Sequence, residues 1–218
     1  MWEKSLVVGK SFLLLFLLLT GSHNLLNYAI ICLVDTEKRI ITTPRKYLKN
    51  TAFPGNLGSL IAMIKVLFIC HGNICRSTMA QFVFQDMINR QNLADKFLVD
   101  SKATSTEEIG NGPHYGTVQK LREVGVPVLA HRASQLRRRD YEEFDYLIGM
   151  DHWNMKNMLR IVGGDPEGKM ALLLDYTKRA GQEIADPWYT GNFDATYDDV
   201  VEGCTGFLEY VRKTHREI

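Results

Sequence analysis

Cys70 and Arg76 stand six positions apart, in an eight-residue stretch, Cys70-His71-Gly72-Asn73-Ile74-Cys75-Arg76-Ser77, that joins an apolar run to a helical pattern. A thiolate is a strong nucleophile, and a planar guanidinium grips two oxygens of a phosphoryl group at once. Together they suit attack on phosphorus. A free thiol titrates at about 8.5 and is mostly protonated at neutral pH, so the chemistry needs a site that favours the anion. A loop that turns its amides inward at a helix N-terminus, beside the Arg76 cation, is expected to do so. Gly72 and Asn73 tolerate the positive φ of such a turn. Ser77 is placed to donate a hydrogen bond to the Cys70 sulfur and ease its departure. The pattern alone is weak evidence, since a buried, inert cysteine at a strand end matches it too; its strand-then-helix setting is what strengthens it.

Cleaving a phosphoester also takes an acid to protonate the departing oxygen. Asp186-Pro187-Trp188-Tyr189 is the outstanding candidate, because Pro187 stiffens the segment and two aromatic rings follow. Read alone, Asp-Pro is an ordinary turn. The elements around these residues alternate. Strands are expected over residues 65–69, 97–99, 144–150 and 170–174. A helix follows Ser77, with Met79, Phe82, Val83 and Met87 on one face, and a loop spans residues 101–116. Further helices are expected over residues 117–123, after the cap Asp151 as far as Gly163-Gly164, and from about Asp194. Tyr197, Val200, Val201, Cys204, Phe207, Leu208 and Val211 stripe the last. This alternation predicts an α/β fold in three layers, a four-stranded parallel sheet flanked by helices, with the site after the first strand.

The chain of 218 residues carries a formal charge of +1 and four cysteines. That charge gives no case for nucleic acid or an anionic membrane as the main partner, and the basic run Arg137-Arg138-Arg139, followed by Asp140, reads as a solvated helix start rather than a nucleic-acid patch. Cys32, Cys70, Cys75 and Cys204 are too scattered for a disulfide scaffold or a zinc site, so reduced thiols and a cytoplasmic location are expected. Residues 1–62 differ from the rest: they hold seven Lys/Arg against three Asp/Glu, net +4. Lys4 and Lys10 precede an apolar run at residues 12–19, then Thr20-Gly21-Ser22, a pattern like an export signal. That run is too short to span a bilayer, which takes about 20 residues. Three readings follow: an export signal, a membrane or interfacial anchor (either of these through residues 1–34), or a reading frame extended upstream of a true start at Met63. The last is favoured, which makes residues 1–62 an extension and residues 63–218 the domain. The intact mass of the natural protein separates these cases.

With the loop at residues 70–77 and the acid segment at residues 186–189, the chain resembles the low-molecular-weight protein tyrosine phosphatases. Their loop reads Cys-x-Gly-Asn-x-Cys-Arg-Ser, and their acid sits in an Asp-Pro-aromatic-Tyr segment near the C-terminus. The likeness extends over residues 63–210, including Phe144-Asp145-Tyr146 and Met150-Asp151. It implies a phosphocysteine on Cys70, with Asp186 first as acid and then as base, and no metal or organic cofactor. It implies substrate binding by His71, Gly72, Asn73, Ile74, Cys75 and Ser77 of the loop, with Asn73 bracing it and His131 in support. Trp188 and Tyr189 would meet the aryl ring of a phosphotyrosine protein or a small aryl phosphate. It also implies a regulatory Cys70–Cys75 disulfide after oxidation, against a reading of Cys75 as a small buried hydrophobe.

Four positions depart from that family's commonest pattern. Thr78 replaces a proline, and His71 a usually apolar residue. Glu107-Glu108-Ile109 occupies the place of an aromatic cleft wall, and two acids there would disfavour acidic phosphopeptides. Ile74 stands where phosphoarginine phosphatases of this fold tend to have threonine, which favours phosphotyrosine. Arsenate reductases of the fold need further cysteines; only Cys204 lies downstream, on an apolar stripe. A noncatalytic phosphate-binding module would be expected to lack Cys70, Arg76 or Asp186, and all three are present.

Overall fold

The central strand of the sheet is the most apolar segment of the domain, and its alternation decides the layering. The computed structural model describes residues 63–215 and Ile218; upstream it describes only the backbone of four short strands, β1 (Leu6–Val7), β2 (Leu13–Phe16), β3 (Ile31–Val34) and β4 (Ile40–Thr42). Those four pair antiparallel in the order β1-β2-β3-β4, within a compact unit of their own, Met1–Ser59. The export-signal, anchor and start-site expectations for residues 1–62 otherwise lie outside the described residues.

The second unit, Leu60–Ile218, holds β5 (Ile64–Cys70), β6 (Phe97–Ala103), β7 (Tyr146–Gly149) and β8 (Met170–Leu172) in the order β6-β5-β7-β8, all parallel. Side chains alternate across a strand. Val66 and Phe68 therefore join a core with helices α1 (Arg76–Arg90) and α6 (Phe193–Thr214). Leu67 and Ile69 join another with α3 (Arg138–Glu143) and α4 (His152–Val162). Both faces of β5 are thus covered, as a continuous apolar strand requires. The remaining helices are α2 (Tyr115–Glu123) and α5 (Pro187–Thr190). The expected three-layer fold with a four-stranded parallel sheet is what the domain adopts.

From β5 the chain crosses to β6 on one side and later to β7 on the other. The carboxyl end of β5 is therefore the switch point of the sheet, where folds of this kind open a crevice. Cys70 is its last residue. Helix α4 begins and ends as its sequence predicts: the Asp151 carboxylate accepts the Asn154 N–H, and Gly163 closes it at φ +89°.

The boundaries differ most from expectation at four places. β7 starts at Tyr146, because Phe144 is taken up as the C-cap of α3 and buried there. β8 stops at Leu172, since Asp175 accepts the Leu172 N–H and residues Leu173–Tyr176 wind into a 3-10 turn under α6. β6 runs on to Ala103, into the expected loop, because its pairing with β5 persists to Cys70. α2 starts two residues early, at Tyr115, capped by His114.

Candidate active site

Residues 70–77 leave the sheet at β5 and enter α1 at Arg76. Asn73 carries the sharp turn at φ +59°, a left-handed conformation that asparagine tolerates. Gly72 serves the loop differently: a Cβ there would come within 3.2 Å of the Glu108 side chain, so glycine lets the neighbouring loop close in.

Asn73 is fully buried, and every polar group of its side chain is spoken for. Its Oδ1 accepts the Ser134 backbone N–H at 3.1 Å, which fixes the amide orientation. Its Nδ2 then donates to Ser77 Oγ at 3.0 Å and to Ser101 Oγ at 2.8 Å. Ser101 passes its own hydrogen to Gln81 Oε1 at 2.6 Å. Because Ser77 receives a hydrogen from Asn73, its hydroxyl hydrogen is left for Cys70 Sγ, 3.1 Å away. The Asn73 backbone N–H also points at that sulfur, at 3.3 Å. Two donors thus converge on Sγ, and both strengthen when it is an anion.

His131 supports the same turn from behind. Its Nε2 lies 3.0 Å from the Asn73 carbonyl oxygen, an acceptor only, so Nε2 carries the hydrogen. Burial holds the imidazole below its ordinary value of 6.5, against the opposing pull of that carbonyl and Asp100. The unfolded chain therefore takes up this proton at higher pH than the folded one. The stability linked to neutral His131 is complete above 6.5 and lost as pH falls through the lower folded value. On lowering the pH from about 7.5 to about 5.5, the wild-type chain should lose more unfolding free energy than His131→Gln, measured by urea denaturation.

Arg76 sits under the loop with a side chain only 4% exposed. Nη1 reaches Asp151 Oδ2 at 2.7 Å, and Nη2 reaches Asp186 Oδ2 at 2.6 Å. Burial alone would lower the affinity of this guanidinium for its proton; Cys70, Asp186 and Asp151 reverse the sign and raise it. A buried cation needs such partners. Asp151, read from sequence as a helix cap and as part of the family likeness, therefore also holds the guanidinium. Its signal was its place just beyond β7, one strand from the switch point.

Asp186 caps α5, its Oδ1 accepting the Trp188 N–H at 3.0 Å. The segment is tied down just upstream, where Ile184 N–H donates to Met150 O at 2.8 Å and Ala185 N–H to Asp199 Oδ2 at 3.0 Å. This brings a residue 116 positions from Cys70 to the loop's own arginine. Cys75 is buried, and that burial, with the negative charge of Cys70 and Asp186, pushes its thiol up to about 12. It stays protonated beside Cys70. Cys70, Cys75 and Cys204 are all free thiols.

One pocket of about 450 Å³ collects the expected residues. Cys70, His71, Gly72, Ile74, Cys75, Arg76, Asp186, Trp188 and Tyr189 line it, while Asn73, Ser77 and His131 stand behind the loop they brace. His71 is at the rim, paired with Glu107 at 3.2 Å. Trp153, Asn154 and Asn157 of α4 also line the pocket, and sequence reasoning did not single them out for it. Among the described residues no cluster of His, Cys, Asp or Glu could hold a metal ion.

The arrangement offers a sulfur nucleophile, a bidentate cation and a carboxylic acid around one space, enough for phosphoryl transfer through the protein's own side chains. The profile of the family described as low molecular weight phosphotyrosine protein phosphatase matches residues 65–217. Low molecular weight protein-tyrosine-phosphatase YfkJ of Bacillus subtilis is 37% identical over 152 residues, 69% of this chain and 97% of that protein. Its crystal structure superposes with a TM-score of 0.68, at 36% identity, covering 71% of this chain and 98% of that one. The low molecular weight phosphotyrosine protein phosphatase of Homo sapiens is 37% identical over 148 residues, 66% of this chain and 93% of its own. The Drosophila arginine phosphatase structure is 30% identical, with a TM-score of 0.61 over 68% of this chain and 98% of that one. With Cys70, Arg76 and Asp186 lining one pocket and a family match over residues 65–217, this chain belongs to the low molecular weight phosphotyrosine protein phosphatase family.

Proposed function

We propose that this protein hydrolyses phosphotyrosine in proteins and small aryl phosphates, through a phosphocysteine on Cys70. The observation that carries the proposal is the bridge made by Arg76, which comes from the nucleophile's loop and holds the Asp186 carboxylate at 2.6 Å. The Cys70 thiolate attacks phosphorus as the aryl oxygen leaves in line. The S–P bond forms, the ester O–P bond breaks, and protonated Asp186 gives its proton to the phenolate. For this the bound phosphoryl group displaces the Asp186 carboxyl from Arg76 Nη2, and Asp186 takes a proton from solvent before the step. Asp151 keeps Nη1, while Nε and Nη2 take two phosphoryl oxygens as charge builds on them. Asp186, now a carboxylate, removes a proton from water, whose oxygen attacks phosphorus. The S–P bond breaks, Ser77 steadies the departing thiolate, and phosphate leaves.

Residues 63–218 are proposed as the catalytic domain and residues 1–62 as an extension outside it. A cytoplasmic setting suits a catalytic thiol and the free cysteines of the domain. Among the described residues no helix is long and apolar enough to cross a membrane. Arsenate reduction is disfavoured because Cys204, the downstream thiol, is fully buried on α6 and directed at the Ala80 carbonyl.

The fold also carries an arginine phosphatase, so the substrate needs a direct comparison. The full chain should turn over a phosphotyrosyl peptide at least about 100-fold faster in kcat/KM than matched phosphoseryl or phosphoarginyl peptides. Preference for the phosphoarginyl peptide would overturn the substrate and leave the chemistry standing.

A further inference from the structure

We propose that the mouth of this pocket selects phosphotyrosine flanked by basic residues, with Trp153 as its aromatic wall and Glu107 and Glu108 as its acidic one. The inference rests on the phosphotyrosine reading above.

The loop before α2 offers no ring to the pocket. Glu107 and Glu108 line it there, and Ile109, 53% exposed, does not. Besides the rings of α5, an aromatic surface comes from the other side of the sheet's switch point. Trp153, in the first turn of α4, lines the same pocket as Cys70 while remaining 69% exposed. A large apolar side chain left open at the lip of a polar site is a surface for a ligand to cover.

The backbone beneath Trp153 is unusually constrained. Asp151 accepts the Asn154 N–H, and Asn154 Oδ1 accepts the Met150 N–H at 3.2 Å. His152 N–H donates to Glu183 Oε1 at 2.9 Å. The same Asp151 pairs with Arg76, so one carboxylate sets both the phosphate clamp and the turn that presents the indole. Lys156 Nζ lies 4.9 Å from the centre of the Trp153 ring and does not line the pocket. A phenyl ring carried on a phosphate held by Arg76 therefore meets a wall fixed in the frame of the clamp. Trp188 and Tyr189 offer further rings from α5.

The acidic wall sets the sign of what flanks the ring. Among the described residues Glu108 has no ion-pair partner: its Oε2 accepts the Asn111 amide at 2.7 Å. Glu107 has His71 at 3.2 Å, a partner that offsets its charge only when protonated. Both carboxylates stand at an exposed rim, where pairing with a peptide cation is modest and screened by salt. Trp153 is thus expected to govern affinity for the aryl ring, and the glutamates the choice among peptides.

The test uses the full chain with phosphotyrosyl peptides identical except for flanking Lys or flanking Glu, together with a phosphoarginyl peptide. The Lys-flanked peptide should be preferred by about fivefold in kcat/KM at low salt, and Glu107→Gln/Glu108→Gln should abolish that preference. Trp153→Ala should lower kcat/KM for both phosphotyrosyl peptides by about tenfold, chiefly through KM, and Trp153→Phe should recover most of it. Inhibition by inorganic phosphate, which touches no wall, reports that the loop of each variant is intact. An unchanged KM in Trp153→Ala, or a wild-type preference for flanking Glu, overturns the inference while phosphotyrosine remains the substrate. Preference for the phosphoarginyl peptide instead overturns the reading on which it rests.

Discussion

Cys70→Ser should lower kcat on an aryl phosphate by at least about 10⁴-fold while inhibition by inorganic phosphate stays within about tenfold of wild type. The substitution changes one atom in a site that is otherwise kept: the Arg76 fork, the Asn73 turn and Asp186 do not depend on sulfur for their positions. What it removes is the ionisable thiol. A serine hydroxyl stays protonated unless a base takes its hydrogen, and the pocket supplies none suited to that task. Asp186 enters this first step protonated, to serve the leaving oxygen, and so cannot also take the serine hydrogen, and the His71 ring is engaged with Glu107. The two donors aimed at Sγ, from Asn73 N–H and Ser77, stabilise an anion that serine does not form at neutral pH. Turnover within tenfold of wild type would mean that the nucleophile lies elsewhere. Joint loss of turnover and of phosphate inhibition would instead mean that the loop had not formed.

The same loop shows which parts of this protein are legible from its sequence. Residues 70–77 are a local pattern between two local patterns, so chemistry and setting can be read together. Asp186 was legible because Pro187 and two aromatic residues mark it. The groups that hold these residues in place are not local. Asn73 depends on Ser77, Ser101 and Ser134, up to 61 positions away, and serines carry no mark of the partner they will find. Asp151 was visible as a cap, yet its second oxygen reaches Arg76 from the end of the neighbouring strand, which only the folded sheet brings about. The strand ends failed for a simpler reason. Phe144, Leu173 and Leu174 are as apolar as true strand residues, and all three are buried. Burial is what an apolar run predicts; whether the backbone stays extended was decided by Asp175 and by the cap of α3.

Asp186→Asn should separate the two halves of the reaction. The parameter kcat/KM reports steps through formation of the phosphocysteine, where this residue protonates the departing aryl oxygen. Its loss should therefore grow with the basicity of the leaving group: slight for a nitrophenolate, which departs unaided, and about 10³-fold for a phenolate or a phosphotyrosyl peptide. In kcat the same variant should be slow with every substrate, because the base that activates water in the second half is missing. With nitrophenyl phosphate a stoichiometric burst of nitrophenol should then precede a slow steady state, as the phosphocysteine accumulates. Asparagine has one acceptor oxygen where aspartate uses two, for the Trp188 N–H and for Arg76. It must give up one of those bonds, but Asp151 continues to hold the guanidinium, so the clamp survives. A loss in kcat/KM of equal size for nitrophenyl and phenyl phosphate would show that Asp186 shapes the pocket without delivering the proton. A loss that scales with leaving-group basicity, together with the burst, assigns it both the acid and the base.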